Sequence, residues 1–144
     1  RDEGHMALED INLGSLKAWL RSHPEDAKRI MHMNRSYIFF SLSEDLAENE
    51  GPIGAASIPL TAGRSIAIDR RQWCYGLPFY IRALLPDKNG NLNEFSRIMV
   101  AQDTGSAILG AARADLFMGS GDEAGHLAGL IRHSGDFVVL IPKA

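Results

Sequence analysis

Three aspartates in the 144-residue chain sit where chemistry is expected, at the ends of apolar runs where side chains leave a core and face a rim. Asp69 follows Ser65-Ile66-Ala67-Ile68, Asp103 follows the run Ile98 to Ala101, and Asp115 lies within Arg113-Ala114-Asp115-Leu116-Phe117. Gly105 follows the second, and Gly119 and Gly121 follow the third, where a missing side chain lets backbone approach a ligand closely. Desolvation disfavours the charged form of a carboxylate, and adjacent carboxylates oppose each other's ionisation. Groups so placed serve as proton donors and acceptors. An aspartate at a strand end is also a common turn former or cap, and a single one would be read that way. Three with clustered glycines point to a site, although spacing along the chain does not by itself bring them together.

A different chemistry uses the same residues. Asp103-Thr104-Gly105-Ser106 matches the active-site tetrapeptide of aspartic proteases, with Ile108-Leu109-Gly110 as the later hydrophobic-glycine element. That mechanism needs two aspartates sharing a proton, so this chain would have to dimerise. Ala101-Gln102 also stands where that family has an apolar pair. The histidines (His5, His23, His32, His126 and His133) show no zinc-ligand spacing, so no metal site is expected. Cys74, between Trp73 and Tyr75, reads as a packed thiol rather than a nucleophile. Gly119-Ser120-Gly121 before a helix could cradle an anion but matches no phosphate loop, and nothing asks for a cofactor.

The elements that must position these residues are short. Helices are predicted over Leu13 to Arg21 and Pro24 to His32, the second opened by a capping box Ser22-His23-Pro24-Glu25, with Ala27, Ile30 and Met31 inward. Strands are predicted over Ser36 to Phe40, Ala55 to Leu60, Arg64 to Ile68, Leu77 to Leu84, Arg97 to Ala101, Ala107 to Leu109 and Phe137 to Ile141. Ser41 to Glu50 reads as an exposed acidic loop, Pro86 to Asn91 as a turn, and Gly121 to Ile131 as a helix with Asp122 and Glu123 in its first turn. Many short strands and few helices give a mainly β fold, a small mixed barrel with the first two helices as a satellite.

Composition bounds the partners. Hydrophobic residues are 45% and charged residues 23%, as in an ordinary globular domain. A net charge of −3 gives no electrostatic footprint for nucleic acid or an anionic membrane. A single cysteine allows no intrachain disulfide. No apolar run has the length of a transmembrane helix, and no signal peptide is recognised. Arg1 to Met6 reads as an expression remnant, with Met6 as an old start.

Several ordered blocks carry a resemblance. They are Asn34-Arg35-Ser36-Tyr37-Ile38-Phe39-Phe40, Gly51-Pro52-Ile53-Gly54-Ala55, Ile58-Pro59-Leu60-Thr61-Ala62-Gly63-Arg64-Ser65 and Ala67-Ile68-Asp69-Arg70. Further on stand Arg97-Ile98-Met99-Val100-Ala101-Gln102-Asp103-Thr104-Gly105, Arg113-Ala114-Asp115-Leu116-Phe117 and Gly119-Ser120-Gly121-Asp122-Glu123-Ala124-Gly125. Together they resemble the three-aspartate (3D) domain of the membrane-bound lytic murein transglycosylase A family. The expected division is 1–6 remnant, 7–33 helical lead-in and 34–144 3D domain.

The resemblance implies a six-stranded double-psi β-barrel with a few short helices. It implies cleavage of the β-1,4 bond between N-acetylmuramic acid and N-acetylglucosamine, with a 1,6-anhydromuramic product and no cofactor. Asp115 takes the catalytic role, Asp103 sits beside it to tune or orient it, and Asp69 completes the trio by holding the site together. Thr104, Gly105, Ser120 and Gly121 become candidates for binding substrate. The implied partner is the peptidoglycan glycan strand, at the periplasmic side of the outer membrane or in the periplasm, with membrane contact only through a lipid anchor outside this chain. Ser106, Leu109 and Cys74 depart from the family's usual glycine, lysine and proline. The whole enzyme has further upstream sequence that forms the other wall of the groove. A second reading is therefore a peptidoglycan-binding module, or an incomplete catalytic fragment with little turnover.

Overall fold

The structure, a computed structural model, describes residues 5–36, 38–40, 42, 46, 47 and 50–143. The chain divides into two compact units, Arg1–Glu44 and Asp45–Ala144.

In the first unit a 3-10 turn, Leu8–Asp10, precedes helices α1 (Leu13–Ser22) and α2 (Pro24–His32). The capping box belongs to α1, not to the predicted Ser22–Glu25 position. Asn12 accepts the Ser15 amide at 3.0 Å, and the Ser15 hydroxyl accepts the Asn12 amide at 2.9 Å. Ser22 is still inside α1, so its hydroxyl donates back to Ala18 and Trp19 carbonyls at 3.1 and 3.0 Å. His23 then caps α2 without a side-chain bond, and its ring stacks on Trp19. Pro24 starts the helix where its missing N–H costs nothing. Ala27 is buried as expected, but Met31 is 57% exposed. The predicted strand from Ser36 to Phe40 is absent from its described residues; Tyr37 lies outside them. Ser41, Ser43, Glu44, Asp45, Glu48 and Asn49 of the predicted acidic loop also lie outside the described residues, as do Arg1, Asp2, Glu3, Gly4 and Ala144.

The second unit holds β1 (Ser65–Ile68), β2 (Pro78–Pro86), β3 (Leu92–Thr104), β4 (Ala114–Leu116), helix α3 (Asp122–Leu130) and β5 (Gly135–Val139). They form one five-stranded sheet in the order β4-β1-β3-β2-β5, where six strands were expected. β1 and β3 are parallel, and the other neighbours are antiparallel. The predicted turn joins β2 to β3: Asp87 accepts the amides of Asn89 and Asn91 at 2.8 and 2.9 Å, and Gly90 supplies a φ of 85°. The sheet curls. Its two edges, β4 and β5, line a common cavity of about 680 Å³ without pairing to each other.

In this unit two predicted strands are not strands. The 55–60 run folds as a turn with a single bridge, Ile53 to Pro59. Its amides are taken by other partners: Ala55 by the Asp103 carboxylate and Ala56 by the Gln102 carbonyl, while Ser57 turns left-handed at φ 61°. The 107–109 run is also a turn, in which the Ile108 amide donates to Gly105 and the Ile108 side chain is buried. The strand that carries Asp115 lies a few residues further on, as β4. Cys74 is exposed, not packed, because Trp73 and Tyr75 turn inward on either side of it.

The core lies on one face of the sheet, around Ile66, Ile68, Phe79, Ile81, Met99 and Ala101. Alternation in β2 produces it: Phe79 and Ile81 point inward, Tyr80 and Arg82 outward. Phe79 is fully buried, stacked on Phe137 with centroids 4.5 Å apart and met edge-on by Trp73 at 5.5 Å. Replacing it with alanine should cost about 3–5 kcal/mol, read from denaturant unfolding. A loss under about 1 kcal/mol would mean that this ring is not the centre of the core.

Asp69, immediately after β1, braces the segment that leads into β4. It is 2% exposed and accepts the amide of Gly110 at 2.8 Å and that of Arg71 at 3.0 Å. The Arg71 guanidinium adds bonds of 3.2 and 3.3 Å. Nearby, the Trp73 indole donates to the Ala111 carbonyl at 2.8 Å. The Arg71 side chain, then the amides of Gly110 and Arg71, hold the Asp69 carboxyl at about 2, below its ordinary 3.8. A depressed carboxyl contributes stability above its unfolded value and loses it as pH falls through the folded one. The stability advantage of the parent over Asp69→Asn should therefore be full above pH 3.8 and vanish by pH of about 2. Chemical unfolding of both proteins across that range checks it; a difference independent of pH would refute the ionised brace.

Candidate active site

β1 runs between β3 and β4, so its residues are flanked on both sides. Ala67 is the partner of Asp103 on β3 and of Asp115 on β4. Directly opposed residues on neighbouring strands share a face. The carboxylates therefore stand in one row, with the methyl of Ala67 between them. Their Cα atoms are two strand spacings apart, about 10 Å.

That row depends on an irregularity. Ile66 pairs with Ala101, but Ala67 pairs with Asp103, so Gln102 is an extra residue in β3. In a regular ladder Asp103 would pair with Ile68 and face the core. The bulge moves it to the other face. Gln102 is held there by the Ser65 hydroxyl, which donates to its side-chain oxygen, and Ser65 in turn accepts the Thr61 amide at 2.7 Å. The 51–60 segment closes over the bulge. The Ala56 amide donates to the Gln102 carbonyl at 3.0 Å, and the Ala55 amide to Oδ1 of Asp103 at 3.0 Å. Gly54 is needed for this approach, since a Cβ there would lie 2.6 Å from the Gln102 carbonyl.

Asp115 is the more open of the two, with its side chain 53% exposed. Arg113 Nε donates to its Oδ1 at 2.9 Å, and the Arg113 amide closes a turn onto Gly110. Asp103 and Asp115 line a cavity of about 210 Å³ with Ala67, Leu60, Ile108 and Phe117. Leu60 and Phe117 also border a larger depression of about 560 Å³ that reaches Thr61 and Ser120. The two share Leu60 and Phe117 as walls. Two carboxylates, one open and one backbone-bonded, beside apolar walls can donate and accept a proton on a bound polar chain.

The other sequence candidates sit differently. Asp69 is outside this cavity, bound to Gly110 and Arg71. Thr104 gives its hydroxyl to the Ile68 carbonyl at 2.8 Å, and Gly105 receives the Ile108 amide. Ser120 borders the larger depression, while Gly121 caps α3 with φ 90°. Among the described residues no group of three metal-ligating side chains converges. Ala67, Ser65, Gln102, Leu60 and Phe117 belong to the site and were not singled out from the sequence. The available signal was the alternation in β1, where small Ser65 and Ala67 interleave with Ile66 and Ile68.

Known proteins match both units. The 3D domain model matches residues 64–141, and the MltA specific insert domain model matches residues 1–41. Membrane-bound lytic murein transglycosylase A of Escherichia coli K12 is 34% identical over 143 residues, covering 96% of this chain and 38% of that protein. A membrane-bound lytic murein transglycosylase from Agrobacterium tumefaciens has a TM-score of 0.82 at 43% identity, over 98% of this chain and 38% of that one. E. coli MltA with bound chitohexaose has a TM-score of 0.84 at 30% identity, over 96% and 41%. The chain thus spans about two-fifths of the length of these relatives. The 3D match covers more than half of the chain and includes both carboxylates of the groove, and the chain belongs to the 3D domain family, in the form carried by the lytic murein transglycosylase A proteins.

Proposed function

We propose that this chain carries the acid/base carboxylate of a lytic transglycosylase that cuts the β-1,4 bond between N-acetylmuramic acid and N-acetylglucosamine in peptidoglycan. The observation that carries this reading is the row Asp103-Ala67-Asp115 at the bottom of a groove, in a chain of this family. Asp115 enters protonated and donates to the glycosidic oxygen as the bond to C1 breaks through an oxocarbenium-like state. Ionised, it then takes the proton of the muramyl C6 hydroxyl as O6 closes on C1, which yields the 1,6-anhydro ring. The substrate supplies the nucleophile, so neither a second catalytic carboxylate nor a positioned water is required. Arg113 engages Oδ1 of Asp115, which leaves Oδ2 for the substrate. Asp103, tied to Ala55, orients the loop beside it and presents its charge to the same cavity.

The glycan strand is the proposed partner, and Ser120 with the neighbouring Thr61 borders the part of the groove in which further sugars lie. Thr104 and Gly105 support the floor from behind, and Gly121 shapes the entry to α3. The proposed full fold is the six-stranded double-psi β-barrel, supported by the central parallel pair and by the two sheet edges that face one cavity. The proposed location is the periplasmic side of the outer membrane or the periplasm; among the described residues no helix is long and apolar enough to cross a membrane. The aspartic-protease alternative lacks a directly paired dyad, because Asp103 and Asp115 stand on opposite sides of Ala67, two strand spacings apart.

Mass spectrometry of soluble products from purified peptidoglycan tests the reaction. The parent should release anhydromuropeptides, and Asp115→Asn should lower their rate by at least about a hundredfold. Folded parent that binds glycan but releases no anhydro product would replace the enzyme with the binding-module or incomplete-fragment reading.

A further inference from the structure

β1 is buried on both faces, yet the faces differ. Ile66 and Ile68 fill the core side, while Ser65 and Ala67 take the other. Strands covered on both sides ordinarily carry large apolar residues on both. The small residue at 67 is what keeps space between the carboxylates. A methyl ends at Cβ, whereas each aspartate places its oxygens two bonds further from the sheet. The cross-strand Cβ separation is about 5 Å on either side, so the row forms a notch two bonds deep, with the methyl as its floor and a carboxylate on each wall. Leu60 and Ile108 line the same cavity. A branched or longer side chain at 67 would rise between the carboxylates by at least one bond and fill part of that space.

We infer that Ala67 is a specificity-determining residue: its methyl forms the floor of a notch that admits an edge of the sugar ring between Asp103 and Asp115. This rests on the glycan reading above and adds a steric requirement that neither aspartate supplies. The groove takes a chain whose ring edge fits between two carboxylates, and the depth of that fit is fixed by residue 67.

The test uses chitohexaose as the probe, read by calorimetry. Ala67→Val keeps a strand-favouring side chain and should weaken binding at least about tenfold. Its melting temperature and the amide signals of Asp103 and Asp115 report whether the sheet is intact. A second protein, Cys74→Ser with Ala67→Cys, separates filling the notch from folding. Methyl methanethiosulfonate should modify the introduced thiol after the protein has folded. Chitohexaose at ten times its Kd should slow that modification about tenfold, and the modified protein should lose chitohexaose binding. Parent-like binding by folded Ala67→Val, an unreactive thiol, or modification unaffected by chitohexaose would each overturn the notch alone. A parent protein that binds no chitohexaose would overturn both the notch and the glycan reading.

Discussion

The site depends on one extra residue in β3. With Gln102 bulged, Asp103 faces the groove; without it, the same carboxylate would pair with Ile68 and point into the core beside Met99 and Ala101. A one-residue slip in a strand exchanges its faces, so the bulge alone decides whether Asp103 stands beside Asp115 or beneath the sheet. Bulges in parallel ladders are uncommon, and this one is fastened from two directions. Ser65 holds the Gln102 side chain, and Ala56 holds its carbonyl. The 51–60 segment is therefore the clasp of the bulge as well as a wall of the groove. Gly54 and the left-handed Ser57 are the backbone conditions for that double role.

β4 poses the opposite problem. It has three residues and lies at an edge of the sheet, so its ladder with β1 is short. Most of what fixes Asp115 comes before the strand begins. Asp69 holds Gly110, Trp73 holds Ala111, and Arg113 both closes the turn and binds the carboxylate. Each anchor lies in the chain at or just after β1 or just before β4. Distortion of the 69–73 turn would thus reach Asp115 without any change in the groove lining.

How far the site could be read from sequence follows from these two devices. Period-2 alternation in β2 and the Asp87 to Asn91 turn are local signals, and the strand and the turn form where they were predicted. The helices α1 and α2 were also legible, down to Pro24 in the first turn. The aspartates were legible as residues that end apolar runs. What joins Asp103 to Asp115 was not, because a bulge has no local signature and the partner of Ala67 is set by long-range pairing. The 55–60 and 107–109 runs failed for different reasons. The apolar residues of 55–60 look like a strand, but their amides are claimed by Asp103 and Gln102 across the fold, whereas 107–109 closes a local turn from Ile108 onto Gly105. The cap at Asn12 was missed for a simpler cause: the abutting helices absorb Ser22, and its hydroxyl turns back to α1.

The surroundings divide labour among the aspartates. A proton donor must hold its proton near neutrality and reach the substrate. Asp69 does neither, since four donors keep it ionised down to a pH of about 2 and burial leaves it 2% exposed. Asp103 reaches the cavity but spends one oxygen on Ala55. Asp115 has its side chain half open to solvent and one oxygen beyond the Arg113 contact. Exposure grows from the first to the third as bonding to the backbone falls, so Asp115 is the carboxyl of the three that a bound chain reaches most easily. The three lie on three different supports. The brace follows a buried strand, the middle group follows a bulge, and the most open one lies on the edge strand, where it can be approached without threading the fold.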